Sequence, residues 1–226
     1  IARSTQPDGD RMIAEYVLLH VLRHLRNMPG FIANQSRHVW EKPPVQLASD
    51  CRVGFLGMGV IAHPCAVLVR DLGFQTASWT RTPNRMEGIE NFHGPDAMEA
   101  FLNRSDIIVN VLPLTQATED ILNARTLAML PQGAKIINIG RGQHIVDDDL
   151  MSALDSGHLD HATLDVFRTE PLPEDHPFWD HPGITVMPHT ARHSQPSRVA
   201  PQVAENIRRL RAGEPFIQPV DRVAGY

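Results

Sequence analysis

"GFLGMGVIA", residues 54–62, carries glycines at 57 and 59 and an alanine at 62, the spacing G-x-G-x-x-A. The apolar run "RVGFLG" (52–57) reads as a short buried strand, and residues 60–72 read as a helix that stops at Gly73. Gly57 permits the tight turn between them. Gly59 lets the backbone come close to a pyrophosphate, and Ala62 is small enough for close packing of helix on strand. A phosphate would sit on the helix N-terminus, against free N–H groups and the positive end of the helix dipole. Met58, Val60 and Ile61 complete the turn and are assigned to the same dinucleotide site. Pro64 falls in the first or second turn of this helix; past the first turn it removes one backbone hydrogen bond.

Working outward, strand-like and helix-like segments alternate. Five more strands are expected: "FQTASW" (74–79), "DIIVNVL" (106–112), "AKIINIG" (134–140), "HATLDVF" (161–167) and "GITVMP" (183–188). Helices are expected at 95–105, 118–122, 124–130, 147–157 and 196–212. Continuous apolar strands alternating with helices define an α/β fold with a parallel sheet covered on both faces. Six strands suggest the doubly wound (Rossmann) order 3-2-1-4-5-6, with ligands outside the carboxyl ends of the strands. Upstream, residues 11–28 read as a helix that is apolar around most of its circumference and ends at Pro29 and Gly30. A polar connection with Pro43 and Pro44 follows.

Composition bounds the function. The 226 residues are 42% hydrophobic and 21% charged, with a formal net charge of −5 and no basic block. This is an ordinary globular composition that points to neither nucleic acid nor a membrane surface. Two cysteines, Cys51 and Cys65, make no disulfide framework, which fits a reducing, cytoplasmic setting. His20 and His24 stand i, i+4 on the first helix, but no third metal ligand accompanies them, so no metal site is assigned.

A dinucleotide site that prefers NAD carries an acid roughly 20 residues after the glycine turn. Here the second strand ends in "SWTRTPNR" (78–85), with Thr80, Arg81, Thr82 and Arg85 and no acid. An arginine there can pair with a 2′-phosphate and the hydroxyls can donate to it, which favours NADP(H) over NAD(H). The alternative is that Arg81 and Arg85 are solvated loop charges.

Three polar residues follow three successive strands: Arg141 after 134–140, Glu170 after 161–167, and His189 after 183–188. Each alone has an ordinary surface reading, Arg141 as a solvated loop residue and His189 as one of twelve histidines. Together they match the needs of hydride transfer to a 2-keto acid. A histidine can give the carbonyl oxygen its proton, and a carboxylate on the other imidazole nitrogen fixes the tautomer. A guanidinium can hold the substrate carboxylate.

These stretches, with "GMGVIA" (57–62), "NVLPLTQATEDILN" (110–123) and the block from Leu130 to His189, resemble the D-2-hydroxyacid dehydrogenases. The "SWTRTP" turn and the terminal "PVDRVAGY" (219–226) look most like the glyoxylate/hydroxypyruvate reductase branch. The resemblance implies that Arg141 binds and polarises the keto acid, Glu170 supports His189, and His189 is the acid/base. It further implies that Asp165 meets the nicotinamide carboxamide, that Leu112 and Pro113 line the adenosine or nicotinamide face, and that Ile139 and Gly140 line the nicotinamide ribose. Thr118 is placed in the cofactor site on the same ground. Helix 11–28 would form a homodimer interface. Trp40 would stand near the partner subunit's active site or simply pack.

Residues 1–195 are therefore expected to form the dinucleotide-binding domain with its dimerisation helix. Residues 196–226 are expected to form a helix and tail packing toward an N-terminal substrate lobe. Of that lobe, on the order of 100 residues in the family, only the trailing edge is expected here, in "IARSTQPDGD" (1–10). A chain lacking it is expected to bind cofactor but to turn over poorly. Arg192 and His193 depart from the family pattern and either alter substrate choice or fold outward. Two other functions fit the same residues: a non-catalytic dinucleotide sensor, and a dehydrogenase of another D-2-hydroxyacid.

Overall fold

The computed structural model describes residue 2 and residues 9–44, 46–192 and 196–220. Seven parallel strands form one sheet: β1 (Arg52–Leu56), β2 (Gln75–Thr80), β3 (Glu90–His93), β4 (Ile107–Asn110), β5 (Ala134–Asn138), β6 (Leu159–Leu164) and β7 (Ile184–Val186). The order is β3-β2-β1-β4-β5-β6-β7. This is the expected doubly wound order with one strand more, because β3 is absent from the six-strand reading. The segment read as the third strand, 106–112, stands fourth in chain order and pairs with β1, not with β2. The edge position beside β2 belongs to β3.

Strand parity explains the two cores. Val53, Phe55, Ile107, Val109 and Ile137 point to one face, where α1 (Gly9–Leu25) and α3 (Ala62–Asp71) supply Ile13, Val17, Val21, Cys65, Ala66 and Val69. Leu56, Ile108 and Ile136 point to the other face, against α4 (Met98–Asn103), α5 (Ala124–Leu127) and α6 (Asp147–Asp155), with Phe101, Leu102, Leu127 and Leu150. Alternate residues of a strand serve opposite faces, so both faces must be apolar. Each fully buried Phe or Leu contributes about 2–3 kcal/mol.

Three local expectations change. The first helix ends at Leu25 rather than residue 28. Asn27 then adopts a left-handed backbone (φ 50°) and caps a further helix, α2 (Met28–Ser36). Pro29, read as a stop, sits in the first turn of α2, where its missing N–H costs nothing. Residues 118–120 form a turn rather than a helix, and Leu122 makes a parallel bridge to Ile145. Pro64 is the third residue of α3, capped at Ile61, so the N–H it lacks is one the helix could not have used. The last helix, α7 (Pro196–Ala212), lies as expected. An antiparallel bridge between Ala2 and Pro219 brings the two chain ends together. No helix among the described residues is long and apolar enough to cross a membrane.

Candidate active site

The glycine turn has the shape a dinucleotide needs. Gly57 takes φ +95°, and a side chain there would press on Leu112 and the Val111 carbonyl at 3.3 Å. A Cβ at Gly59 would meet nothing within 4 Å, so the mouth of the turn is open. Met58 is half-buried, whereas Val60 and Ile61 are exposed at the N-terminus of α3. Gly59, Val60 and Ile61 are all exposed at this helix start, which leaves room for an anionic pyrophosphate.

Beside it, Arg81 and Thr82 are exposed at the end of β2. Thr80, expected in the same site, is half-buried as the last residue of β2. Its hydroxyl already donates to the Thr82 carbonyl (2.7 Å) and accepts from the Asn91 amide (2.9 Å). It builds the turn that presents Arg81 and does not supply a free donor. Thr118 is likewise internal: its hydroxyl donates to the Pro113 carbonyl (2.7 Å) and accepts from the Thr115 N–H (2.9 Å), closing the loop after β4. Leu112 is buried and Pro113 exposed on that loop. Ile139 is half-buried and Gly140 buried at the end of β5.

The three strand-end residues come together. His189 Nδ1 lies 2.7 Å from Glu170 Oε2, and Glu170 Oε1 accepts the Phe167 N–H at 3.0 Å. The carboxylate is thus fixed at both oxygens. Its partial burial would raise its pKa. The bonds from His189 and Phe167 and the charges of His189 and Arg141 outweigh that and hold it below the usual carboxylate range. His189 is half-exposed and takes a left-handed backbone (φ 53°). A side chain in that region costs about 1 kcal/mol or more and is sustained by surrounding contacts.

Arg141 is exposed, and its guanidinium donates back to the Gly140 carbonyl (2.6 Å). The two flanking glycines have different reasons. At Gly140, a Cβ would stand 2.9–3.0 Å from the His144 ring and the Asn110 amide. At Gly142, a Cβ would overlap the Phe167–Arg168 peptide, so the loop after β5 touches the loop after β6 backbone to backbone. Below Arg141 lies a polar hub that the sequence did not reveal. His144, fully buried, accepts the Arg141 N–H (3.1 Å) and the Asn110 amide (2.8 Å) at Nδ1. Asn110 also donates to Asn138 (2.9 Å), whose amide donates to the Arg141 carbonyl (3.2 Å). Burial lowers the His144 pKa, consistent with a neutral ring that accepts at Nδ1.

Asp165, expected to meet the nicotinamide carboxamide, already accepts from protein donors at both oxygens. It is 1% exposed. Its Oδ1 accepts from the Tyr16 hydroxyl (2.9 Å) and the Thr190 N–H (2.8 Å), and its Oδ2 accepts from the Ala191 N–H (2.9 Å). In this geometry its carboxylate fixes the segment that follows His189. Arg192 is half-buried and His193 lies outside the described residues. His24 Nε2 bonds Thr163 Oγ1 (3.1 Å), and the His20 ring packs tilted against Tyr16 with centroids 4.5 Å apart. Both are buried against the sheet, and no group of three potential metal ligands occurs among the described residues.

An open glycine turn and a carboxylate–imidazole pair at neighbouring strand ends, with an exposed guanidinium beside them, define a nucleotide-dependent oxidoreductase of the Rossmann type. Residues 18–191 match the family described as D-isomer specific 2-hydroxyacid dehydrogenase, NAD binding domain, and the chain belongs to this family of oxidoreductases. It is 39% identical over 216 residues to a glyoxylate/hydroxypyruvate reductase A of Serratia proteamaculans, covering 96% of this chain and 69% of that relative. A D-isomer specific 2-hydroxyacid dehydrogenase of Xanthobacter autotrophicus, solved with NADPH and MES, superimposes with a TM-score of 0.94 at 43% identity, over 100% of this chain and 93% of that one. An NADPH-dependent glyoxylate/hydroxypyruvate reductase of Sinorhizobium meliloti, solved with NADP and sulfate, gives 0.92 at 36% identity, over 100% of this chain and 72% of that one.

Proposed function

We propose that the protein reduces a small 2-keto acid, glyoxylate or hydroxypyruvate, to the 2-hydroxy acid with NADPH. The observation that carries this reading is the 2.7 Å bond between His189 and Glu170, set beside the loop that presents Arg141. The cofactor residues are Gly57, Met58, Gly59, Val60 and Ile61 at the pyrophosphate, Arg81 and Thr82 at the 2′-phosphate, and Leu112, Pro113, Ile139 and Gly140 along the nucleoside. When bound, the reduced nicotinamide supplies the hydride. Arg141 takes the substrate carboxylate as a planar fork and draws charge from the neighbouring carbonyl. Nδ1 of His189 is held by Glu170, so Nε2 is the nitrogen that gives the proton to the carbonyl oxygen. Glu170 keeps that tautomer and stabilises the imidazolium.

Residues 1–195 act as the dinucleotide-binding domain and 196–226 lean toward a substrate lobe. On α7, Val203, Ile207 and Leu210 form an exposed apolar row that supports this orientation. Leu19 and Leu22 on α1 and Phe31 and Ile32 on α2 are exposed, which supports a homodimer through these helices.

The test is NADPH oxidation by the full-length protein with glyoxylate and with hydroxypyruvate, repeated on His189→Gln. Turnover that collapses in the variant is the expected result. Wild-type turnover in the variant would remove His189 from the mechanism.

A further inference from the structure

We infer that Tyr16 is a positioning residue for the acid/base: its hydroxyl holds Asp165, and Asp165 holds the backbone that follows His189. This rests on the reading of His189 as proton donor.

The geometry is continuous. Tyr16 lies on α1, remote in sequence from the strand-end loops, yet its hydroxyl donates to Asp165 Oδ1 at 2.9 Å. The same oxygen accepts the Thr190 N–H at 2.8 Å, with the Thr190 hydroxyl at 3.4 Å, and Oδ2 accepts the Ala191 N–H at 2.9 Å. Thr190 and Ala191 are the two residues next to His189. His189 itself holds a left-handed backbone (φ 53°), which needs support from outside to persist. Glu170 holds only the imidazole end. The backbone end is held by the His189 N–H on the Met187 carbonyl (3.0 Å) and, on its far side, by a carboxylate that is almost wholly buried. A buried carboxylate is stable only with its acceptor sites filled, and Tyr16 is the donor that comes from outside the loop. Burial first, then the charge and the bond of Asp165, raise the Tyr16 pKa, so the hydroxyl keeps its proton for this bond. Its ring packs tilted on His20, so loss of the oxygen alone leaves the aromatic contact in place.

The experiment compares wild type with Tyr16→Phe. Amide hydrogen exchange, measured with NADPH present, should quicken at Thr190 and Ala191 by at least about fivefold while the strands of the sheet are unchanged. In turnover with glyoxylate, kcat should fall about tenfold with KM for NADPH unchanged. In a His189→Gln background the same substitution should have no further effect on the residual rate, because the residue it positions is gone. Unchanged exchange at both amides would overturn the proposal. So would an equal loss of rate with and without His189, which marks a merely structural role. A wild-type protein that does not reduce glyoxylate would refute the proposed substrate, while the exchange comparison would still decide the role of Tyr16.

Discussion

Gly142 and Phe167 share a contact that leaves no room for a side chain: a Cβ on Gly142 would overlap the Phe167 carbonyl. The loop carrying Arg141 and the loop carrying Glu170 are therefore set against each other through main chain. Gly142→Ala should force these loops apart. It is expected to cost about 1–3 kcal/mol in urea unfolding and to lower turnover more than a substitution of equal stability cost elsewhere. A variant as stable and active as wild type would show that the loops are not locked here.

Glu170→Gln keeps the shape of the side chain but removes its charge. The loss in kcat should be about 10²–10⁴-fold, as for a positioned acid–base group, measured by NADPH oxidation. The folded-state pKa of Glu170 lies below its ordinary value, so the stability this carboxylate contributes is present above that ordinary value and is lost as pH falls through the folded one. Its exposure keeps that contribution small.

The buried histidines on the α1 face give a different pH signature. Burial, chiefly, pushes His20 and His161 down to about 4 and His24 well below its usual value. Their unfolded pKa is about 6.5. Between these values the unfolded chain holds more protons, so stability is full above about pH 6.5 and falls as the pH drops toward 4. Urea midpoints should be level above about pH 7 and decline by an amount worth a few kcal/mol near pH 4.5. His20→Phe should make the decline shallower, and a slope unaltered by that change would argue against His20 as a contributor.

His144→Leu tests the hub under Arg141. The substitution leaves the Arg141 N–H and the Asn110 amide without their acceptor, which should cost about 2–3 kcal/mol in unfolding experiments. KM for the keto acid should rise more than the Kd for NADPH, because the hub lies directly under Arg141 and reaches the cofactor only through Leu112 and Gly140.

Arg81→Asp should weaken NADPH binding by about 10- to 100-fold and spare NADH, read by fluorescence titration. Equal weakening of both cofactors would remove Arg81 from the 2′-phosphate.

The sequence made the sheet, the glycine turn and the strand-end residues legible because each rests on a local pattern: apolar runs, a fixed glycine spacing, and a polar residue where a run stops. What it hid depends on partners far along the chain. β3 is the short, polar "ENFH" (90–93), a strand only because β2 offers it an edge. Pro29 looked like a stop because nothing local shows that Asn27 turns the chain to begin again. That the hydroxyls of Thr80 and Thr118 each donate to a nearby carbonyl is visible only in the folded loops. Asn110, Asn138 and His144 meet from separate strand ends, and Tyr16 reaches Asp165 from α1; no spacing rule joins them.

The strand order also imposes a chronology. The phosphate-facing turn comes from residues 54–62, near the start of the sheet, whereas Arg141, Glu170 and His189 follow its last three strands. As the chain emerges during synthesis, the glycine turn is made before the residues of the proton-transfer pair have been added.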